Sequence, residues 1–306
     1  MSKTTNRRVM ITGAASGIGL EAALQLAAQG DYVIVADRNE AGGNAVVERI
    51  IAAGGSAEFR ALDLADQQRI RAFVDRELSE AKPLDVLINN AGLLPPMERA
   101  TTSDGFELMF GICHLGHFAL TGQLLPALLR SANPRVVNVS SMSHSGGEID
   151  FDDLQFEQNY ASSRAYAGTK LACLMFALEL NRRALAAGSK LISVSAHPGV
   201  ATTPIASGWK QENRRKLMDR FELFAYNTFN RWFGQTAAEG ALPLVYAACE
   251  ADVEGGGYYG PTGFKQMSGK AGRVAPAPRA LDEAIAAQLW EESERLTGVN
   301  YELRPG

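Results

Sequence analysis

Short apolar runs punctuate the chain at Val9 to Thr12, Tyr32 to Ala36, Ala57 to Leu62, Asp85 to Asn89, Arg135 to Ser140 and Leu191 to His197. Each is followed by a segment in which apolar positions recur at helical spacing, so the pattern predicts strands alternating with helices. Near-continuous apolar strands suit a parallel sheet covered on both faces, and right-handed crossovers then give a doubly wound α/β sheet of Rossmann type. Such a sheet presents its working sites at the carboxyl ends of its strands. The regularity stops after His197. Residues 203–235 mix Trp209, Phe221, Phe224, Tyr226, Phe229, Trp232 and Phe233 with basic side chains. Two readings stand there, an amphipathic helix packed on the core and a small helical lid over an apolar substrate. Residues 279–296 read as a C-terminal covering helix.

At 306 residues, 46% hydrophobic and 21% charged, and without low-complexity stretches, the chain reads as a single domain over 1–306. Thirty basic residues against 34 acidic ones leave a net charge of -4, which gives no electrostatic reason to expect nucleic acid or an anionic membrane. A small hydrophobic molecule is the expected partner. Cys113, Cys173 and Cys249 are odd in number, widely spaced and without His clustering, so neither a disulfide framework nor a metal site is expected. That usage suits a reducing cytoplasm. The segment MSKTTNRRVMITG lacks the long apolar stretch of a signal peptide or membrane anchor, and a soluble cytoplasmic protein is expected.

Between the first strand and first helix lies Thr12-Gly13-Ala14-Ala15-Ser16-Gly17-Ile18-Gly19. Its glycines permit a tight turn and let backbone amides approach a pyrophosphate, whose charge the helix N-terminus stabilises. The second strand ends in Ala36-Asp37-Arg38, about twenty residues on, where an acidic side chain can bond adenosine ribose hydroxyls. Asp37 would repel a 2′-phosphate, whereas Arg38 could pair with one. Ser16 offers such a phosphate no charge. NAD is favoured, with NADP open. Leu62-Asp63-Leu64 could meet the adenine, although Asp63 serves equally well as a turn cap. Asn89-Asn90-Ala91-Gly92 ends the fourth strand in the same crevice.

In Tyr166-Ala167-Gly168-Thr169-Lys170 the spacing of four puts the phenol and the ammonium on one helix face, where the positive charge favours the phenolate. Taken alone, such a pair reads more readily as a surface contact. Ser141 ends the fifth strand, where its hydroxyl could bond a substrate oxygen or cap the backbone.

In this order the segments TGAASGIG, NNAG, NVSS, YAGTK and HPGVATT resemble the short-chain dehydrogenase/reductase family, from about Val9 to Thr203. The finer likeness is to its retinol-dehydrogenase and protochlorophyllide-reductase-like branch. It rests on His114-Leu115-Gly116-His117-Phe118, on Ile149-Asp150-Phe151-Asp152-Asp153-Leu154 and on Leu289 to Leu296, with Met142 to Ala165 resembling that branch's insertion. The resemblance implies Tyr166 as acid/base, Lys170 as its activator and a ribose contact, and Ser141 as the group orienting the reacting oxygen. It also implies a cofactor-binding set of Gly13, Ser16, Gly17, Ile18, Gly19, Asp37, Arg38, Asp63, Leu64, Asn90, Ala91, Gly92, Tyr166, Lys170, Pro198, Gly199, Val200 and Thr203. Thr203 would meet the nicotinamide carboxamide.

The reaction so implied is hydride transfer between a nicotinamide dinucleotide and a hydrophobic carbonyl or secondary alcohol. Alternatives are reduction of a carbon-carbon double bond on the same fold and a dinucleotide-binding sensor weakened in catalysis. The second draws on one departure: the family usually carries Asn before the HLGHF stretch, supporting a relay water, and here that residue is Cys113. A thiol substitutes poorly for a carboxamide, and the residue reads more simply as a small buried hydrophobe. His114 and His117 read as packing residues. The resemblance also implies a homodimer or homotetramer formed through the helix preceding the fifth strand and the one carrying Tyr166.

Overall fold

The computed structural model describes residues 6–201 and 235–305. Its first half repeats strand and helix: β1 (Arg8–Thr12), α1 (Gly17–Ala28), β2 (Tyr32–Asp37), α2 (Glu40–Ala52), β3 (Ser56–Ala61), α3 (Gln67–Ser79) and β4 (Val86–Asn89). A continuous helical run follows, made of α4 (Leu108–Phe110), a π-helical turn (Gly111–Gly116) and α5 (His117–Leu128). Then come β5 (Arg135–Val139), a 3-10 turn (Met142–Gly146), the long α6 (Ser162–Ala186) and β6 (Ile192–Ala196). Past the undescribed residues lie α7 (Ala237–Cys249), β7 (Tyr258–Pro261), β8 (Ala271–Arg273) and α8 (Glu283–Thr297).

The sheet order is β3-β2-β1-β4-β5-β6-β7-β8, parallel throughout except for the antiparallel β7–β8 pair. The six expected strands are present within a residue or two of their expected ends. Two are additional: β7 and β8 extend the sheet beyond His197, so the alternation does not end where the apolar runs do. The C-terminal helix also starts later than expected. Pro278 to Leu281 form only a 3-10 turn, and Asp282 opens α8 by accepting the amides of Ala284 and Ile285, both at 3.1 Å.

Side-chain alternation along the strands divides the core into two layers. Val9 and Ile11 of β1, with Val33 and Val35 of β2, face α1 and α7, while Met10 and Ile34 face α3, α5 and α6. The run Leu108–Leu128 is long and apolar enough to cross a membrane, but 83% of its apolar window is buried inside this fold. Its apolarity is that of a core helix. Because β1 crosses to β2 on one side and β4 lies on the other, the chain reverses direction of winding between β1 and β4. A crevice opens there at the strands' carboxyl ends.

Candidate active site

The crevice is a cleft of about 620 Å³. Its cofactor side is built from two loops that touch. After β1, Gly13 has φ +67°, and a Cβ on it would fall 2.7 Å from the Ala91 Cα; a Cβ on Gly19 would fall 2.4 Å from the Gly13 carbonyl and 2.5 Å from Asn90 Nδ2. Only glycine allows this approach. Asn90 Nδ2 donates to the Thr12 carbonyl at 2.8 Å and to that of Gly13 at 3.3 Å. Thr12 Oγ1 in turn accepts the amides of Asn90 and Ala91, both at 2.9 Å. Thr12 was not among the sequence-predicted site residues, although its place at the end of β1, ahead of Gly13, was a signal that could have found it.

Asp37 closes the other end. Its carboxylate accepts the Ala15 amide at 3.0 Å and the Asn39 amide at 2.9 Å, so the acidic residue holds the glycine loop against the end of β2. Arg38, exposed, lines the cleft beside it. Asp63 makes the expected turn contact, accepting the Ala65 amide at 3.0 Å, and also lines the cleft with Leu64. Ser16, the N-cap residue of α1, makes no side-chain capping bond, and no acidic residue occupies the helix's first turn. The first amides of α1 are therefore free of side-chain caps at the cleft's floor.

The chemical side depends on how β5 meets α6. Ser140 Oγ donates to the Lys170 carbonyl at 2.7 Å, and the buried Lys170 Nζ donates to the Val139 carbonyl at 3.2 Å. These two bonds lace the strand's end to the helix, so Ser141, Tyr166 and Lys170 line one cleft with the glycine loop. Ser141 Oγ accepts the Ser143 amide at 3.2 Å. With an acceptor position so used, its single O–H remains a donor for another oxygen. The segment before Tyr166 is tied down by Arg164, which pairs with Asp150 at 2.8 Å and Asp153 at 3.2 Å. This gives the IDFDDL stretch a local structural reason.

Of the sequence-predicted residues, Gly13, Ser16, Ile18, Gly19, Asp37, Arg38, Asp63, Leu64, Asn90, Ala91, Gly92, Ser141, Tyr166, Lys170, Pro198 and Gly199 all line this cleft. Gly17 sits within the loop at φ +57° without lining it. Val200 is not part of the lining; its amide donates to the Met267 carbonyl and its carbonyl accepts the Gln235 amide, both at 2.8 Å. Thr203 and the expected lid, except Gln235, lie outside the described residues.

Cys113 lies in the π-helical turn, 2% exposed. Burial pushes its thiol pKa upward, which favours the protonated and less reactive form. Its carbonyl accepts Cys173 Sγ at 3.1 Å and lies 2.9 Å from His117 Nδ1. His114 packs between Phe110 and Phe176, with Nε2 2.8 Å from Ser293 Oγ on α8. Both histidines have structural partners.

A nicotinamide dinucleotide fits these residues. The glycine contacts leave no room for side chains where a pyrophosphate would approach, the uncapped start of α1 suits its charge, and Asp37 stands at the end of β2. The lining also includes the apolar Leu93, Leu94, Leu108 and Ile112.

Comparison with known proteins agrees with this construction. The family model described as short chain dehydrogenase matches residues 7–214. Human retinol dehydrogenase 13 is 38% identical over 310 residues, covering 97% of this chain and 87% of that protein. Mouse polyprenol dehydrogenase is 39% identical over 301 residues, covering 95% and 84%. The crystal structure of an uncharacterised protein from Mycobacterium Paratuberculosis superposes with a TM-score of 0.78 at 38% identity, covering 98% of this chain and 96% of that one. A glycine cradle at the β1/β4 switch, a serine and a Tyr-Lys pair laced together across β5 and α6, and relatives aligned over nearly the whole length lead to one assignment: the chain belongs to the short-chain dehydrogenase/reductase family, in its retinol-dehydrogenase-like branch.

Proposed function

We propose that this protein is an NAD-dependent oxidoreductase acting on a hydrophobic carbonyl compound or secondary alcohol, with Tyr166 giving or taking the proton. A bound nicotinamide dinucleotide would supply or accept the hydride. The observation that carries the reading is the lacing of β5 to α6, which keeps Ser141, Tyr166 and Lys170 in the same cleft as the glycine loop. Ser141 would direct its O–H to the substrate oxygen. Tyr166 would exchange a proton with that oxygen, with the Lys170 ammonium in the same cleft. The apolar lining formed by Leu93, Leu94, Leu108 and Ile112, together with relatives named for retinol and polyprenol, supports a substrate of isoprenoid character. A cytoplasmic, homo-oligomeric enzyme completes the reading.

The preference for NAD rests on Asp37. Because its carboxylate also holds Ala15 and Asn39, Asp37→Ala weakens the loop for either cofactor, so the informative quantity is the ratio of affinities. Fluorescence titration should give tighter binding of NADH than NADPH, with the ratio falling in Asp37→Ala. Tighter NADPH binding would assign the dominant role to Arg38. The activity itself is tested with isoprenoid alcohols and aldehydes, simple hydrophobic ketones and conjugated enones. Oxidation or reduction at oxygen supports the proposal, and turnover restricted to the enone double bond replaces it.

A further inference from the structure

The 3-10 turn that follows Ser141 is held by a histidine that the catalytic reading leaves unused. His144 Nδ1 lies 2.6 Å from the Ser141 carbonyl, and the His144 amide donates to the same oxygen at 3.1 Å. On the far side of the ring, Nε2 accepts the Ala277 amide at 3.0 Å. A backbone N–H can only donate, so Nε2 is the unprotonated nitrogen and the proton is on Nδ1, aimed at Ser141. The tautomer is thus dictated by a residue 133 positions away. The ring is 4% exposed and packs edge-on against Tyr258, centroids 5.2 Å apart. The same C-terminal segment reaches the turn a second time, where Arg279 donates to the Gly147 carbonyl. Gly147 itself presses on α6: a Cβ there would lie 2.3 Å from the Ala167 carbonyl, next to Tyr166.

We infer that His144 is a positioning residue for Ser141. Its Nδ1–H fixes the Ser141 carbonyl, and with it the 3-10 turn whose Ser143 amide occupies Ser141 Oγ, so that the serine O–H points to the reacting oxygen. The segment around Ala277, which contributes nothing to the cleft lining, acts on the chemistry by setting the tautomer. This inference rests on the oxidoreductase reading for its kinetic consequences but not for its geometry.

The two parts are therefore tested separately. Long-range 1H–15N NMR of the histidine rings in the full-length protein needs no substrate. It should report His144 as the Nδ1–H tautomer, and an Nε2–H tautomer would overturn the inference whatever the enzyme acts on. Kinetics then use three variants. Asn places its amide nitrogen where Nδ1 stood and restores the donor to Ser141; Gln reaches only the Ala277 side; Leu does neither. With a substrate accepted by the wild type, His144→Leu and His144→Gln should lower kcat by about 10- to 100-fold, the scale on which small displacements of reacting groups act. His144→Asn should keep kcat within about 5-fold of the wild type on the same scale. NADH affinity should stay within about 2-fold throughout, because the cofactor loops are not touched. Adding His144→Leu to Ser141→Ala should cost nothing further, as expected when one residue acts only through the other. Equal losses in the Asn and Gln variants, or full additivity with Ser141→Ala, would overturn the inference. Ser141→Ala that leaves kcat unchanged would instead overturn the underlying reading of the site.

Discussion

His117 Nε2 lies 2.8 Å from Thr12 Oγ1, and the bond's direction follows from its surroundings. His117 Nδ1 faces the Cys113 carbonyl, which can only accept, so Nδ1 carries the proton and Nε2 accepts from the threonine hydroxyl. Thr12 has then donated its one hydrogen and filled its acceptor positions with the Asn90 and Ala91 amides. A polar chain runs from the π-helical turn through the core to the loop beside the glycine cradle.

Thr12→Val removes an acceptor shared by the part-buried amides of Asn90 and Ala91, of which only the first has another partner among the described residues, the Ile88 carbonyl at 3.0 Å, and it removes the donor to His117. A buried group left unpaired costs about 1–3 kcal/mol, so urea unfolding should show a loss within that range. NADH binding should weaken in parallel, while Thr12→Ser should retain most of both. Wild-type stability in the Val variant would remove Thr12 from the account of how this loop is held.

Gly19→Ala would place a methyl against the Gly13 carbonyl and Asn90 Nδ2 at once. The two cofactor loops would have to part, and dinucleotide affinity measured by fluorescence should fall by about 10-fold or more, the equivalent of roughly 1.4 kcal/mol. An unchanged affinity would mean that the contact between the loops does not shape the cradle.

Tyr166→Phe keeps the ring and removes the proton. Loss of a general acid or base lowers rates by about 100- to 10,000-fold, so kcat should fall on that scale, far more than NADH affinity does. Residual turnover near the wild-type rate would require a different proton donor in the cleft.

All four histidines of the sequence are buried in the fold, and all have their pKa lowered, chiefly by burial. His114 is brought to about 3, and His117 and His197 to about 4 each. A histidine whose folded pKa lies below its unfolded value near 6.5 contributes stability above pH 6.5 and loses it as pH falls, because the unfolded chain takes the proton first. Between pH 6 and 4 each should lower stability by up to about 1.4 kcal/mol per pH unit. Denaturant midpoints measured across that interval should drop steeply, and His114→Phe should flatten the slope. A profile level down to pH 4 would contradict the neutral, buried state of these rings.

Much of this was legible in the sequence because it is written in local signals. Six strands announce themselves as apolar runs, and the glycine loop, NNAG, the serine and the Tyr-Lys pair are short motifs whose placement the sheet topology then determines. What was hidden depends on contacts distant along the chain. Strands β7 and β8, Tyr-Tyr-Gly-Pro and Ala-Gly-Arg, carry no periodicity of their own and exist by pairing to β6 and to each other. Asp37 reads as a ribose ligand, but its grip on the Ala15 amide needs the fold. His144 and Ala277 are unremarkable residues until the chain brings them within 3.0 Å.

The two outermost strands have a consequence for the protein at high concentration. At one border, β3 carries Glu58 and Arg60, paired at 2.7 Å, and at the other β8 is three residues long with glycine at its centre. Another chain adding itself by strand pairing would have to lie alongside that largely buried charged pair on the first side and would find too little backbone to grip on the second. Among the described residues the sheet ends like a polymer whose growing tips are poor substrates for further addition, a safeguard against fibrous stacking.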